Sequence, residues 1–220
     1  DLQGMLAKLS DRVRVLFVAN PNNPTGTWLD SNDLRAFIEQ IPRQVVVVID
    51  EAYFEYVDKP GYASAVDWID EFPNLLVTRT FSKIYGLAGL RIGYSVSQPE
   101  LAELLNRVRQ PFNTNLPAQH AALAALEDLA HVTLSRDRNL AGMRQLEAAF
   151  DELGIAYIPS AGNFICADFT RDAMPVYDAL LKQGVIVRPV ANYALPTFLR
   201  ITIGTEAENK RFIDALRQSL

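Results

Sequence analysis

Short apolar runs alternate with stretches of helical periodicity through the first hundred residues. "VRVLFVAN" (13–20) has the length and branching of a strand, and "SNDLRAFIEQI" (31–41) has the spacing of an amphipathic helix capped by Asp30 or Ser31. "QVVVVID" (44–50) holds five β-branched residues in a row, Val45 to Ile49, which predicts a strand covered on both faces of a parallel sheet. "NLLVTRTF" (74–81) and "LRIGYSVS" (90–97) predict a third and a fourth strand. From Pro99 the pattern turns helical, through "PELAELLNRVRQ", "LPAQHAALAALED" and a run from His131 to Leu153.

After Gly154 the pattern starts afresh. "IAYIPS", "NFICADF", "VIVRPV" and "FLRITIG" read as strands, alternating with the helical "AMPVYDALLKQG" and a final helix "EAENKRFIDALRQSL". The expected architecture is α/β, with a mostly parallel sheet over 1–128 and a small α+β domain over 129–220.

Composition narrows the function classes. Hydrophobic residues make up 49% and charged ones 21%, enough apolar material for a substantial core. A net charge of −5 without a Lys/Arg-rich run gives no footprint for nucleic acid or a membrane surface. No apolar run approaches the roughly 18 residues of a membrane-spanning helix, and "DLQGMLAKLSDRVR" is no signal peptide. The single cysteine, Cys166, lies in an apolar run and is expected to be a core thiol in a reducing compartment. These features favour a soluble cytoplasmic protein. His120 and His131 stand on helical segments without a ligand cluster, so no metal site is expected. Dinucleotide, P-loop and GxSxG signatures do not occur.

In an open α/β sheet, ligands bind beyond the carboxyl ends of the strands. There the chain presents Asn23, then Asp50 with Tyr53, then Thr80, Ser82 and Lys83, and Arg91 follows eight residues after Lys83. Asn23 to Asp50 is 27 residues and Asp50 to Lys83 is 33, each about one strand–helix–strand unit, so the groups can converge on one rim. Singly, each has a plainer role. "NPNNPTG" is turn-forming, Asp50 can cap a turn, and Lys83 and Arg91 can be solvated surface charges. Together they suit an aldehyde cofactor with a pyridine ring and a phosphate. A lysine amine forms the Schiff base, and an aspartate holds the ring nitrogen protonated. An amide and a phenol (Asn23, Tyr53) can bond the ring's phenolic oxygen, and hydroxyls with a guanidinium (Thr80, Ser82, Arg91) suit the phosphate. Gly86 and Gly89 are expected to let the backbone turn between Lys83 and Arg91.

"NPNNPTG", "DEAYFEY", "TRTFSKIYGLAGLRIGY", "RQPFNTN" and "LPTFLRITIGT" resemble the fold-type-I pyridoxal 5'-phosphate (PLP)-dependent aminotransferases, and most closely their histidinol-phosphate branch. The resemblance implies that Lys83, Asp50 and Tyr53 are catalytic. It implies that Asn23, Asp50, Tyr53, Thr80, Ser82, Lys83 and Arg91 bind the cofactor, and that Asn23 and Arg200 bind substrate. It further implies amino transfer from a donor such as L-histidinol phosphate to 2-oxoglutarate, and a homodimer at full length. Decarboxylases of the threonine-phosphate type, β-lyases and non-catalytic PLP-binding modules are similar at the same residues and stay open. Ala194 departs from the family, which usually carries glycine there, and a small loop adjustment near Arg200 is expected. An N-terminal part, with a ring-stacking aromatic and a second phosphate loop, is expected upstream of Asp1, making this chain the C-terminal two-thirds of such an enzyme.

Overall fold

In the computed structural model, which describes residues 1–220, a short helix α1 (Leu2–Leu6) precedes strand β1 (Val15–Ala19). Helix α2 (Ser31–Glu39) leads into β2 (Val46–Asp50), and β3 (Leu75–Thr80) and β4 (Gly93–Ser97) follow. The Asp30 side chain accepts the Asn32 N–H at 2.8 Å and so satisfies an otherwise orphaned donor at the start of α2. The four strands form one sheet in the order β1-β2-β3-β4, with the first three parallel and β4 antiparallel to β3. Successive β2 residues Val47, Val48 and Ile49 are all buried, so both faces of this strand are covered. Each such side chain contributes about 1.5–3 kcal/mol relative to exposure.

The two faces of the sheet are not equally filled. Leu16, Val47, Ile49, Leu75 and Val77 share a core with Leu34, Phe37 and Ile38 of α2. The opposite face has a smaller cluster, Val48, Leu76 and Leu101, and there Phe17 of β1 is 69% exposed. Helices α3 (Pro99–Val108) and α4 (Leu116–Glu127) come next, and α5 runs over Leu129–Leu153.

The chain divides into two units, Asp1–Pro21 with Trp28–Val132, and Asn22–Thr27 with Thr133–Leu220. The second contains most of α5, strands β5 (Ala156–Ile158) and β6 (Phe164–Asp168), helix α6 (Met174–Lys182), β7 (Arg188–Pro189), β8 (Phe198–Thr202) and α7 (Glu206–Ser219). Its sheet is antiparallel throughout, in the order β5-β6-β8-β7, and Leu146, Phe150, Ile165, Leu199 and Leu216 fill the core. Thr205 and Glu208 form a reciprocal capping box that starts α7.

Three local features differ from the sequence expectation. Strand β4 begins at Gly93, not near Leu90, because Ala88–Leu90 winds into a 3₁₀ turn and Arg91 takes φ 54°. "VIVRPV" contributes only Arg188–Pro189 to the sheet, on an edge where a residue without an N–H is tolerated. Finally, Asn22–Thr27 packs with the second unit, whereas a linear boundary near residue 128 assigns it to the first. Gly26 explains this. It sits at φ 77°, its carbonyl accepts the Ala161 N–H at 2.8 Å, and a Cβ on it would lie 2.1 Å from Ser160 Oγ.

Candidate active site

The carboxyl ends of β1, β2 and β3 lie side by side in the first unit. Ala19 is opposite Asp50, Asp50 is opposite Thr78, and the Asn20 N–H donates to Asp50 O at 3.0 Å. Side chains alternate between faces along a strand. Asp50, Thr78 and Thr80 therefore continue the Val48–Leu76 face, while Arg79 and the residue after β2, Glu51, continue the face of Ile49 and Val77. Asp50 is exposed, and its carboxylate accepts the Ala52 N–H at 3.1 Å.

The turn after β2 buries Tyr53, and the turn after β3 carries Lys83. The two meet, with Lys83 Nζ 5.4 Å from the centroid of the Tyr53 ring. Thr80 Oγ1 accepts the Ser82 N–H at 3.0 Å, which fixes the backbone just before Lys83. Phe81 donates its N–H to Ile92 O at 3.2 Å, bringing the backbone beside Arg91 against the Thr80–Ser82 segment. The Arg91 side chain donates to Ala88 O at 2.9 Å. Gly86, at φ 71°, turns this loop. Gly89 does not take a positive φ, so the second left-handed residue is Arg91 itself, a correction to the expected glycine pair. His131, given no role by the sequence, places Nε2 3.0 Å from Ile84 O, beside Lys83.

Asp50, Lys83 and Arg91 enter none of the protein's ion pairs. Three full charges of both signs on neighbouring loops without ionic partners is the pattern of a site built to receive a charged ligand.

Behind this rim lies a charged cluster that the sequence reading missed. Glu51 is 1% exposed and bonds Arg79, Ser64 and the Ala65 N–H. Burial pushes the Glu55 carboxyl upward, and only partly do its own backbone and the Arg79 charge pull it back. Burial also raises the Tyr85 hydroxyl to about 12, assisted by the charge of Glu55. The available signal was the period-2 pattern of β3, which aims Arg79 at the interior.

In the second unit, Arg200 of β8 donates from Nη1 to Asn23 Oδ1 at 2.6 Å, and its buried Nε has no hydrogen-bond partner. The guanidinium carbon lies 4.9 Å from the Phe164 ring centroid. Asn23 and Arg200, 177 residues apart, are thus brought together, and Asn23 does not belong to the unit holding Asp50 and Lys83. Ala194 adopts φ 59°, the left-handed conformation that glycine takes freely. Cys166 is buried opposite Arg200, and burial pushes its thiol to about 11, so the core-thiol expectation matches its position.

The family model described as aminotransferase class I and II matches residues 1–216. Histidinol-phosphate aminotransferase 2 of Pseudomonas fluorescens (strain Pf-5) is 56% identical over 220 residues, covering 100% of this chain and 60% of its own length. Histidinol-phosphate aminotransferase 1 of Nitrosococcus oceani is 53% identical with the same coverage. The crystal structure of histidinol-phosphate aminotransferase from Sinorhizobium meliloti in complex with pyridoxal-5'-phosphate superposes with a TM-score of 0.92 at 31% identity, over 100% of this chain and 61% of that one. L-threonine-O-3-phosphate decarboxylase from Porphyromonas gingivalis, at 24% identity and a TM-score of 0.82 over 96% of this chain and 66% of its own, shares the fold. The chain spans about 60% of the length of the curated relatives it matches.

Proposed function

The chain belongs to the aminotransferase class I and II family, and from that premise we propose that the whole protein is a PLP-dependent aminotransferase with Lys83 as its cofactor anchor. One observation carries the reading most: Asp50, Lys83 and Arg91 stand on neighbouring strand-end loops with no ionic partner of their own. The donor set fits PLP. A carboxylate suits a protonated ring nitrogen, a lysine amine suits an aldehyde, and a guanidinium with Thr80 and Ser82 suits a phosphate dianion. When bound, PLP supplies an electrophilic carbon and a ring that draws electrons away from the amino donor's α-carbon.

The chain's own groups divide the remaining work. Asp50 places a carboxylate at the strand end, where it would pair with the protonated ring nitrogen. Tyr53, buried under Lys83, restricts where Nζ can swing. Lys83 Nζ, once released from its covalent role, takes and returns the proton that amino transfer moves. Arg200 offers a guanidinium whose Nε is unsatisfied, suited to an anionic group of the substrate, and Asn23 orients it through Oδ1. We assign L-histidinol phosphate as the amino donor, 2-oxoglutarate as the acceptor and a homodimer as the working form. The relatives' names support the donor, and the exposed Phe112, Leu116 and Leu123 of the first unit support a protein contact.

The test is PLP addition, borohydride reduction and peptide mapping, followed by turnover of the whole protein. Label on Lys83 and keto-acid-dependent consumption of L-histidinol phosphate are expected. Label confined to other lysines defeats the anchor assignment. Label on Lys83 with carbon dioxide release that ignores 2-oxoglutarate makes the protein a decarboxylase on the same anchor.

A further inference from the structure

We propose that Arg79, held by Glu51, is a positioning residue that locks the three cofactor-bearing elements of the first unit to one another. The inference rests on the PLP reading for its function but not for its geometry.

Arg79 lies four residues before Lys83, on the next-to-last residue of β3 and opposite Tyr94 of β4, and its side chain lies on the sheet's interior face. Its Nη2 and Nε donate to Glu51 Oε2 at 2.8 and 3.1 Å, and Nη2 also donates to Ser64 Oγ at 2.8 Å. Glu51 directly follows Asp50, so this pair ties the strand end bearing Asp50 to the strand leading to Lys83. The other face of the guanidinium is covered, because its carbon lies 3.7 Å from the centroid of Phe54, the residue after Tyr53. One side chain therefore touches the Asp50 element through Glu51 and the Tyr53 turn through Phe54, while its own strand ends at Thr80 and leads directly into the turn of Ser82 and Lys83.

Glu51 is fully used in this arrangement. Oε2 also accepts from Ser64 Oγ at 2.8 Å, and Oε1 accepts the Ala65 N–H at 2.7 Å. Ser64 in turn caps the 3₁₀ turn Ala65–Trp68 by accepting the Val66 N–H. This pair, with Glu51 buried and Arg79 mostly covered, tolerates little displacement, because moving Arg79 leaves the Glu51 carboxylate unpaired in a low-dielectric interior. Burial works against the Arg79 charge, yet the bond and charge of Glu51, assisted by Tyr94, outweigh it and favour the ionised guanidinium. A simple packing role would be met by any residue filling the space. Two N–H groups converging on one carboxylate oxygen, a further bond to Ser64 and stacking on Phe54 together need a planar guanidinium with several donors, which is a reason for arginine in particular.

The experiment compares wild type with Arg79→Met, Arg79→Lys and the milder Ser64→Ala. Two readouts are taken on the whole protein: amide hydrogen exchange without cofactor, and PLP affinity with the rate of borohydride-trapped label at Lys83. In Arg79→Met, peptides covering 50–54 and 80–84 should lose protection while β6 and β8 keep theirs. PLP binding should weaken about 10-fold or more, as when the groups supporting a ligating residue are removed. Arg79→Lys should recover less than half of that loss, because it restores charge without the fork. Should the methionine variant not fold, Ser64→Ala decides through the same readouts with a smaller shift. Folded variants with wild-type protection at both segments and wild-type PLP affinity overturn the inference. If the wild type itself takes no label at Lys83, the cofactor reading fails, and the exchange pattern alone still decides whether the brace exists.

Discussion

Asp50 and Glu51 are consecutive carboxylates, yet the alternation of a strand sends them to opposite faces of the same sheet. Asp50 ends exposed, with a single backbone N–H on its carboxylate and no ionic partner. Glu51 ends 1% exposed, with every oxygen bonded and Arg79 beside it. One face spends charge on structure, and the other keeps charge available. A site that must bind a charged cofactor needs the second condition, and it can maintain unpaired charges in place only because the first condition holds behind them.

The largest effect that would sharpen this contrast is functional. Lys83→Ala should abolish covalent PLP capture and lower turnover of the whole protein by at least the roughly 10²–10⁴-fold that a positioned acid–base group supplies. Its unfolding midpoint in urea should stay within about 0.5 kcal/mol of wild type, as for a substitution outside the core. A substantial loss of stability would break the comparison, because Lys83 would then belong with the structural charges.

Stability separates the adjacent carboxylates next. Glu51→Ala strands the Arg79 guanidinium in the interior and should cost about 3–5 kcal/mol. Asp50→Asn can still accept the Ala52 N–H, so it should stay within about 0.5 kcal/mol while impairing PLP binding. Parallel urea titrations of the two variants measure this directly. Equal losses would mean that the two faces are not energetically distinct.

What the sequence disclosed follows the range of the interactions involved. The run Val45–Ile49 announces its strand because β-branched residues in succession have no stable home but a covered sheet, and Asp50 is visible as its endpoint. Asp30 announces α2 for an equally local reason. The pairing of Arg200 with Asn23 spans 177 residues and depends on Gly26 fitting against Ser160, so no local pattern could reveal it. The end of "VIVRPV" was obscured because its valines fit a strand, while Pro189 limits the pairing. Arg79 was legible in principle, since an arginine on the buried phase of β3 demands a partner. The aldehyde chemistry suggested by Lys83 concerns only the opposite face.

The smallest expected effect concerns Glu55, which stands between the two classes. It neighbours Arg79 and Tyr85, and its Oε1 is buried with no hydrogen-bond partner. Burial, opposed by its own backbone bond, the Arg79 charge and the Tyr85 bond and reinforced by Glu51, raises its carboxyl above the usual carboxylate range. A carboxyl whose folded-state affinity for protons exceeds its unfolded-state affinity contributes stability that is complete at low pH. That contribution is lost as pH rises from the ordinary carboxylate value through the raised one, because the folded state must then give up a proton that it binds more tightly than the unfolded chain does. Glu55→Gln removes the titration. The stability difference between Glu55→Gln and wild type should therefore shift in the variant's favour as pH rises through that window, and level off above it. Urea midpoints of both proteins across the window check this, and the subtraction cancels exposed groups such as Glu71, whose carboxyl the Arg35 bond pulls down and which slope the opposite way. A difference that is flat with pH would remove Glu55 from the buried charges, and the boundary between the two faces would then run between Glu51 and Glu55.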